Sequence, residues 1–154
     1  MATSKKQAAA SAWGSLLQVH AALVPALDRR LRQSAGVPLA WYDVLLELSA
    51  ARDGRLTMSQ LGERVVLSRS RVSRVVDELI RADLVRREAN PEDARSAYAV
   101  LTPTGTDRFR RAAPVYVGGI EQEFAGDLTV AELTALGSAL QRVLNRLDRT
   151  PAQQ

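Results

Sequence analysis

Hydrophobic positions recur at three- and four-residue steps through most of this chain, the spacing that lines up one face of a helix. The first run covers about 9–33, with Trp13, Leu16, Leu17, His20, Leu23, Val24, Leu27 and Leu31 on a shared side. Pro25 interrupts it and is expected to bend it or be absorbed as a kink. Gly36-Val37-Pro38 breaks the pattern. Pro38 suits the first turn of a second helix, about 39–51, with Trp41, Val44, Leu45 and Leu48 inward. Residues 1–8 and 151–154 show no such period and are expected to fray.

Asp53-Gly54 marks a turn, and Arg55-Leu56 is too short to predict more than a bridge. Thr57 with Gln60 forms a capping box, in which hydroxyl and amide side chains satisfy free helix amides reciprocally. It opens a short helix, about 59–65, with Leu61 and Val65 inward. Ser68 then caps a fourth helix ending near 82–83. Short helix, tight turn and capped helix make a helix-turn-helix. In the fourth helix Val72, Val75, Val76, Leu79 and Ile80 form one apolar stripe. Ser70, Ser73, Arg74 and Asp77 lie opposite, with Arg69 and Arg71 beside them. Two strand-like segments, 84–88 and 96–101, enclose Asn90-Pro-Glu-Asp-Ala-Arg95, which has turn chemistry throughout. They predict a β-hairpin wing.

Thr102-Pro103 starts a fifth helix to about 125, which Pro114 and Gly118-Gly119 are expected to bend or weaken, with Phe109, Ala112, Val115, Tyr116, Ile120 and Phe124 apolar. A second capping box, Thr129 with Glu132, opens a last helix to about 149, with Leu133, Leu136, Leu140, Val143, Leu144 and Leu147 inward. The fold class is thus mainly α with a small β-hairpin wing. A winged helix-turn-helix lobe, about 39–101, is joined to N- and C-terminal helices, about 9–33 and 103–149, in one domain over 1–154. A lone winged lobe does not need three further apolar helical surfaces, and a homodimer core is their simplest use. A two-fold dimer places two recognition helices about one DNA turn, ~34 Å, apart, matching a pseudo-palindromic operator.

Composition narrows the chemistry. The 154 residues contain no cysteine, which removes disulfides, thiolate metal sites and thiol redox sensing. One histidine, scattered carboxylates and no glycine-rich phosphate loop leave no catalytic constellation, so no enzyme, cofactor or metal is expected. The formal charge is +4, and 19 of the 21 basic residues are arginine. That suits phosphate and guanine contacts and suits biased genome composition equally. No apolar run approaches ~20 residues, and the N-terminus lacks the apolar core of a signal peptide. The expectation is a soluble cytoplasmic protein without a membrane partner.

Four pieces in this order carry a family resemblance: Leu56-Thr-Met-Ser-Gln-Leu61; Ser68-Arg-Ser-Arg-Val-Ser-Arg74; Leu84-Val-Arg-Arg87 with Asp93-Ala-Arg95; and Leu101-Thr-Pro-Thr-Gly105. Together they resemble a MarR-family transcriptional regulator over roughly 11–149. The resemblance implies an obligate dimer that represses nearby genes, and many members release DNA on binding a small aromatic or phenolic acid. It places Ser68 to Arg74 in the major groove and Arg95 in the minor groove, with Asp93 bracing Arg95. Two positions depart from the family pattern, Val66 and Asp83 standing where glycine is usual. Aspartate tolerates a left-handed cap, and Val66 implies a turn without positive φ.

The candidate DNA-binding residues are therefore Ser68, Arg69, Ser70, Arg71, Ser73, Arg74, Asp93 and Arg95. Arg74 and Ser70 are the base-edge candidates, and Arg69 and Arg71 the phosphate contacts. Arg87 is expected to pair within the hairpin. His20 is either a core or interface histidine, or lines an effector pocket with Trp13, Trp41 and Tyr42, an aromatic cleft suited to a planar acid.

Overall fold

In the computed structural model, which describes residues 4–148, helix α1 (Lys5–Ala35) starts at Lys5 rather than near 9. A capping box explains the extension: the Gln7 amide donates to the Ser4 hydroxyl at 3.2 Å, and the Ser4 amide donates to the Gln7 side chain at 3.0 Å. The fraying expected for 4–8 is therefore replaced by an N-cap at Ser4 and helix over 5–8, while that expected for 1–3 and 151–154 lies outside the described residues. The helix runs on through Pro25 without interruption. Gly36 ends it in the left-handed conformation, φ 63°, which glycine adopts freely.

Helix α2 (Leu39–Ala50) follows at once. Pro38 stands at its N-cap, one position before the first turn, and has no side chain to cap with. Asp28 of α1 does that work: its Oδ1 accepts from the Leu39 amide at 2.8 Å, and its Oδ2 accepts from Arg32 Nε at 2.7 Å. Arg55–Thr57 is a true strand, β1, where sequence spacing suggested only a bridge. It gains a partner that local sequence cannot show. The sheet order is β1-β3-β2, all antiparallel, with β2 Val85–Ala89 and β3 Ala97–Leu101. β1 pairs with β3 through Arg55↔Val100 and Thr57↔Tyr98.

Helix α3 (Met58–Arg64) opens on the expected Thr57–Gln60 capping box. After it come α4 (Arg69–Arg81), α5 (Pro103–Glu123) and α6 (Val130–Asp148). The described residues form two compact units that divide after Gly118. In the first, Val44, Leu45, Leu48, Leu56, Leu61, Leu84 and Val85 close over the α4 stripe of Val72, Val75, Val76 and Leu79. Each such side chain contributes about 1.5–3 kcal/mol on burial. A second cluster joins Leu31, Val37, Tyr42 and Ala112, with Tyr42 packed on Phe109 and Tyr116 at centroid distances of 5.5 and 4.5 Å. In the second unit, the Glu132 carboxylate accepts from the Thr129 amide at 2.8 Å, the expected capping box. No α6 residue is fully buried: Leu133 and Leu140 are half-buried, and Leu136, Val143, Leu144 and Leu147 are exposed.

Two pieces distant in sequence meet at one joint. Asp83 takes φ 58°, the left-handed cap its family position calls for. Its carbonyl accepts from the buried Thr102 hydroxyl at 2.8 Å, and that hydroxyl accepts from the Gly105 amide at 2.9 Å. A Cβ at Gly105 would stand 2.0 Å from the Leu84 carbonyl oxygen, so only glycine lets α5 start against the α4–β2 turn.

Candidate nucleic-acid interface

Helix α4 spends its apolar residues inward and leaves its polar ones out. Arg69, Ser70, Arg71 and Arg74 are exposed and Ser73 is half-buried. Opposite the buried stripe lie Ser70, Arg74, Asp77 and Arg81. Arg81 shares that face from the last turn and was not singled out from sequence, although its seven-residue distance from Arg74 points there. Ser68 has N-cap backbone geometry, but its hydroxyl faces Ser70 Oγ at 3.3 Å instead of bonding a helix amide. The expected side-chain cap is therefore not made: the neighbouring serine competes for the hydroxyl.

Clefts flank the helix on both sides. One, about 330 Å³, is bounded by Arg69, Ser73, Met58, Gly62 and Arg87. The other, about 440 Å³, has Arg71, Arg74 and Glu78 on one wall and Arg32, Pro38 and Trp41 on the other. The three arginines thus splay, Arg69 toward the wing and Arg71 and Arg74 toward the end of α1. Glu78 accepts from Trp41 Nε1 at 2.7 Å, tying α2 to α4.

Arg71 also acts on two carboxylates. Burial pushes Asp28 up, but the hydrogen bonds from Arg32 and the Leu39 amide and the charges of Arg32 and Arg71 outweigh it. Asp28 therefore titrates below the ordinary aspartate value. Burial pushes Asp43 up to about 6, with Glu47 adding to the rise and Arg71 opposing it. Burial likewise raises Tyr42 and Tyr116.

The wing tip is held by its own polar groups. Asn90 Nδ2 donates to Ser96 Oγ at 2.8 Å, and the Glu92 amide donates to Asn90 Oδ1 at 3.0 Å. Between Asp93 and Arg95 the contact runs through the backbone: Asp93 Oδ1 accepts the Arg95 amide at 3.0 Å, and the Arg95 side chain is exposed. Arg87 does not pair within the hairpin as expected. Its Nη2 lies 2.8 Å from Asp77 Oδ1 on α4, while Arg86 takes the in-strand partner Glu88. Strand alternation explains the exchange, since Arg86 and Arg87 point to opposite faces of the sheet.

The four effector candidates are not brought together within one chain. Trp41 borders the larger cleft, and Tyr42 is buried against Phe109 and Tyr116. Trp13 is 60% exposed and His20 is exposed. At 1.5 Å per residue Trp13 stands roughly 27 Å along α1 from Leu31, the residue that packs with Tyr42.

Known proteins share this arrangement. A family profile described as "MarR family" matches residues 35–96. The crystal structure of Sco3205, a MarR family transcriptional regulator from Streptomyces coelicolor in complex with DNA, is 30% identical. It superposes with a TM-score of 0.85 over 100% of this chain and 94% of that one. The chain belongs to the MarR family. AbsC, another MarR-family regulator of that organism, is also 30% identical, with a TM-score of 0.83 over 97% and 99% of the two chains. YkoM of Bacillus subtilis, an HTH-type transcriptional regulator, is 35% identical over 82 residues, about half of each chain (53% and 53%). The MarR family is one of DNA-binding transcriptional regulators, not of enzymes. Among the described residues no helix is long and apolar enough to cross a membrane.

Proposed function

We propose that this MarR-family chain represses transcription in the cytoplasm as a homodimer on a pseudo-palindromic operator and lets go when a small aromatic acid binds. The observation that carries the reading is the outer face of α4. Arg69, Arg71 and Arg74 stand exposed above a buried apolar stripe, and among the described residues none of them makes an ion pair. In this reading Ser68 to Arg74 enter the major groove. Arg74 and Ser70 read base edges, and Arg69, Arg71 and Ser73 hold phosphates. Arg95, carried on the turn that Asp93 fixes, enters the neighbouring minor groove, whose narrowness concentrates negative potential.

A second copy completes the assembly. Trp13, Leu16, Leu17, Val19 and Val24 of α1 are exposed in the single chain, and a contiguous apolar stripe of that kind marks a protein interface. The effector reading also depends on this copy. Trp13 and His20 join Trp41 and Tyr42 in one site only if a partner's α1 supplies them.

The test is electrophoretic mobility shift with duplexes selected by the protein from a random library, beside light scattering. The reading expects a palindromic consensus and a dimer; a monomer that binds every duplex alike refutes it. A second reading, regulation by occupancy without an effector, is favoured by Tyr42, whose ring surface is already covered by Phe109 and Tyr116. Tryptophan fluorescence titrated with a panel of phenolic and heteroaromatic acids separates the two. A saturable change that also releases DNA supports the first, and silence throughout supports the second.

A further inference from the structure

The DNA-binding reading leaves the Asp77–Arg87 ion pair unused. Both side chains are about half exposed, and a pair that wet contributes little to stability. Its place in the fold is what matters. The wing is anchored at its base by Val85, Ala99 and Val100, all buried. Beyond Arg87 the ladder continues for Glu88↔Tyr98 and Ala89↔Ala97, then turns. Among the described residues, the hydrogen bonds and ion pairs of 88–96 stay inside the wing. The Asp77–Arg87 contact is thus the outermost polar tie between wing and α4. On its other side Arg87 borders an open cleft, not a packed wall. From Arg87 to Asn90 the strand extends roughly 10 Å at ~3.3 Å per residue, and the turn beyond carries Arg95. Small angular slack at Arg87 is multiplied along that lever.

Asp77 also places a carboxylate on the outward face of α4 beside Ser70 and Arg74. Left unpaired, it would repel phosphate. We infer that Asp77 and Arg87 are positioning residues for DNA recognition. The pair fixes the pitch of the wing against α4, so that Arg95 and the α4 face meet the duplex as one rigid unit. This rests on the DNA-binding reading above.

The experiment compares wild type, Asp77→Asn and Asp77→Glu, each with and without Arg95→Ala, on library-selected duplexes and on scrambled duplexes of equal length. Charge alone predicts that Asp77→Asn binds both more tightly, because an anion leaves the DNA face. The pitch-fixing role predicts about tenfold weaker binding to the selected duplex, within the range of coupled contacts, no loss on the scrambled one, and an unchanged thermal melt. Asp77→Glu, which keeps the charge, recovers most of the affinity. The penalty for Arg95→Ala, several-fold in wild type, shrinks below about twofold in the Asp77→Asn background. Equal or tighter binding of Asp77→Asn to the selected duplex, or an undiminished Arg95 penalty, overturns the inference and leaves the DNA-binding reading standing. Failure of the wild type to select any duplex overturns both.

Discussion

Helices α4 and α1 have the same kind of sequence period and opposite fates. α4 places four apolar residues in the core and leaves arginine and serine outside. α1 buries only Leu27 and Leu31 near its C-terminal end and leaves Trp13, Leu16, Leu17, Val19 and Val24 exposed. What each helix fails to satisfy within its own chain says what it is for. A leftover of fixed positive charge calls for an anion, and a leftover of apolar area calls for another protein surface. The periodicity of apolar positions predicts the helix in both cases; only the structure shows that one stripe is covered and the other bare.

The harshest way to break the comparison is to charge the bare stripe. Trp13→Glu with Leu17→Glu should give a monomer by light scattering with helix content unchanged. Affinity for a selected palindromic duplex should fall by about two orders of magnitude, because the second half-site no longer benefits from high effective concentration. A dimer that survives both charges would show that the α1 stripe is not the seam.

Gly105→Ala attacks the other side of the contrast, the self-contained lobe around α4. The new methyl would meet the Leu84 carbonyl, and α5 must shift or the α4–β2 turn must open. A loss of about 3 kcal/mol in urea denaturation is expected, at the upper end of overpacking costs. An unchanged midpoint would mean that the joint is softer than its geometry.

The arginines come next in size. Arg74→Ala should cost about 1–3 kcal/mol on the selected duplex and relax preference at one base pair. Arg71→Ala should weaken all duplexes alike and reduce the salt slope by about one. If both variants lose affinity uniformly across sequences, the assignment of base reading to Arg74 fails, and the outer face is a phosphate surface only.

How much of this was legible beforehand follows from which contacts are local. The capping boxes at Thr57 and Thr129, the α4 stripe and the wing turn are written within four to eight neighbouring residues, and they fold as written. Contacts between distant segments were not legible. β1 exists because β3 passes beside it. Asp28 caps α2 from eleven residues away, and Arg87 reaches α4 where hairpin pairing was expected. The left-handed cap at Asp83 was legible for a different reason: the family resemblance puts glycine at that position, and aspartate tolerates the same backbone. The Ser4 capping box is local as well, but no apolar period begins there to mark a helix start.

The smallest expected effect lies at Asp43, half-buried where α2 runs between the two regions, within electrostatic reach of both Glu47 and Arg71. Its folded value of about 6 stands above the unfolded value of 3.8, so the folded state holds that proton more tightly. The stability this provides is complete below about pH 3.8 and is lost as the pH rises through about 6. Near pH 7.5 the buried carboxylate is therefore charged at a net cost, and Asp43→Asn should raise the urea midpoint. Toward pH 4.5 that advantage should shrink, because the wild-type carboxyl takes up its proton. Asp28 does not confuse the comparison. Its lowered value places its own loss of stabilisation below the unfolded aspartate range. Urea melts of both proteins at the two pH values give the answer. A constant difference would mean that Asp43 is solvated well enough to titrate normally, and that the contact between the α2 and α4 elements is wetter than the burial of their apolar neighbours implies.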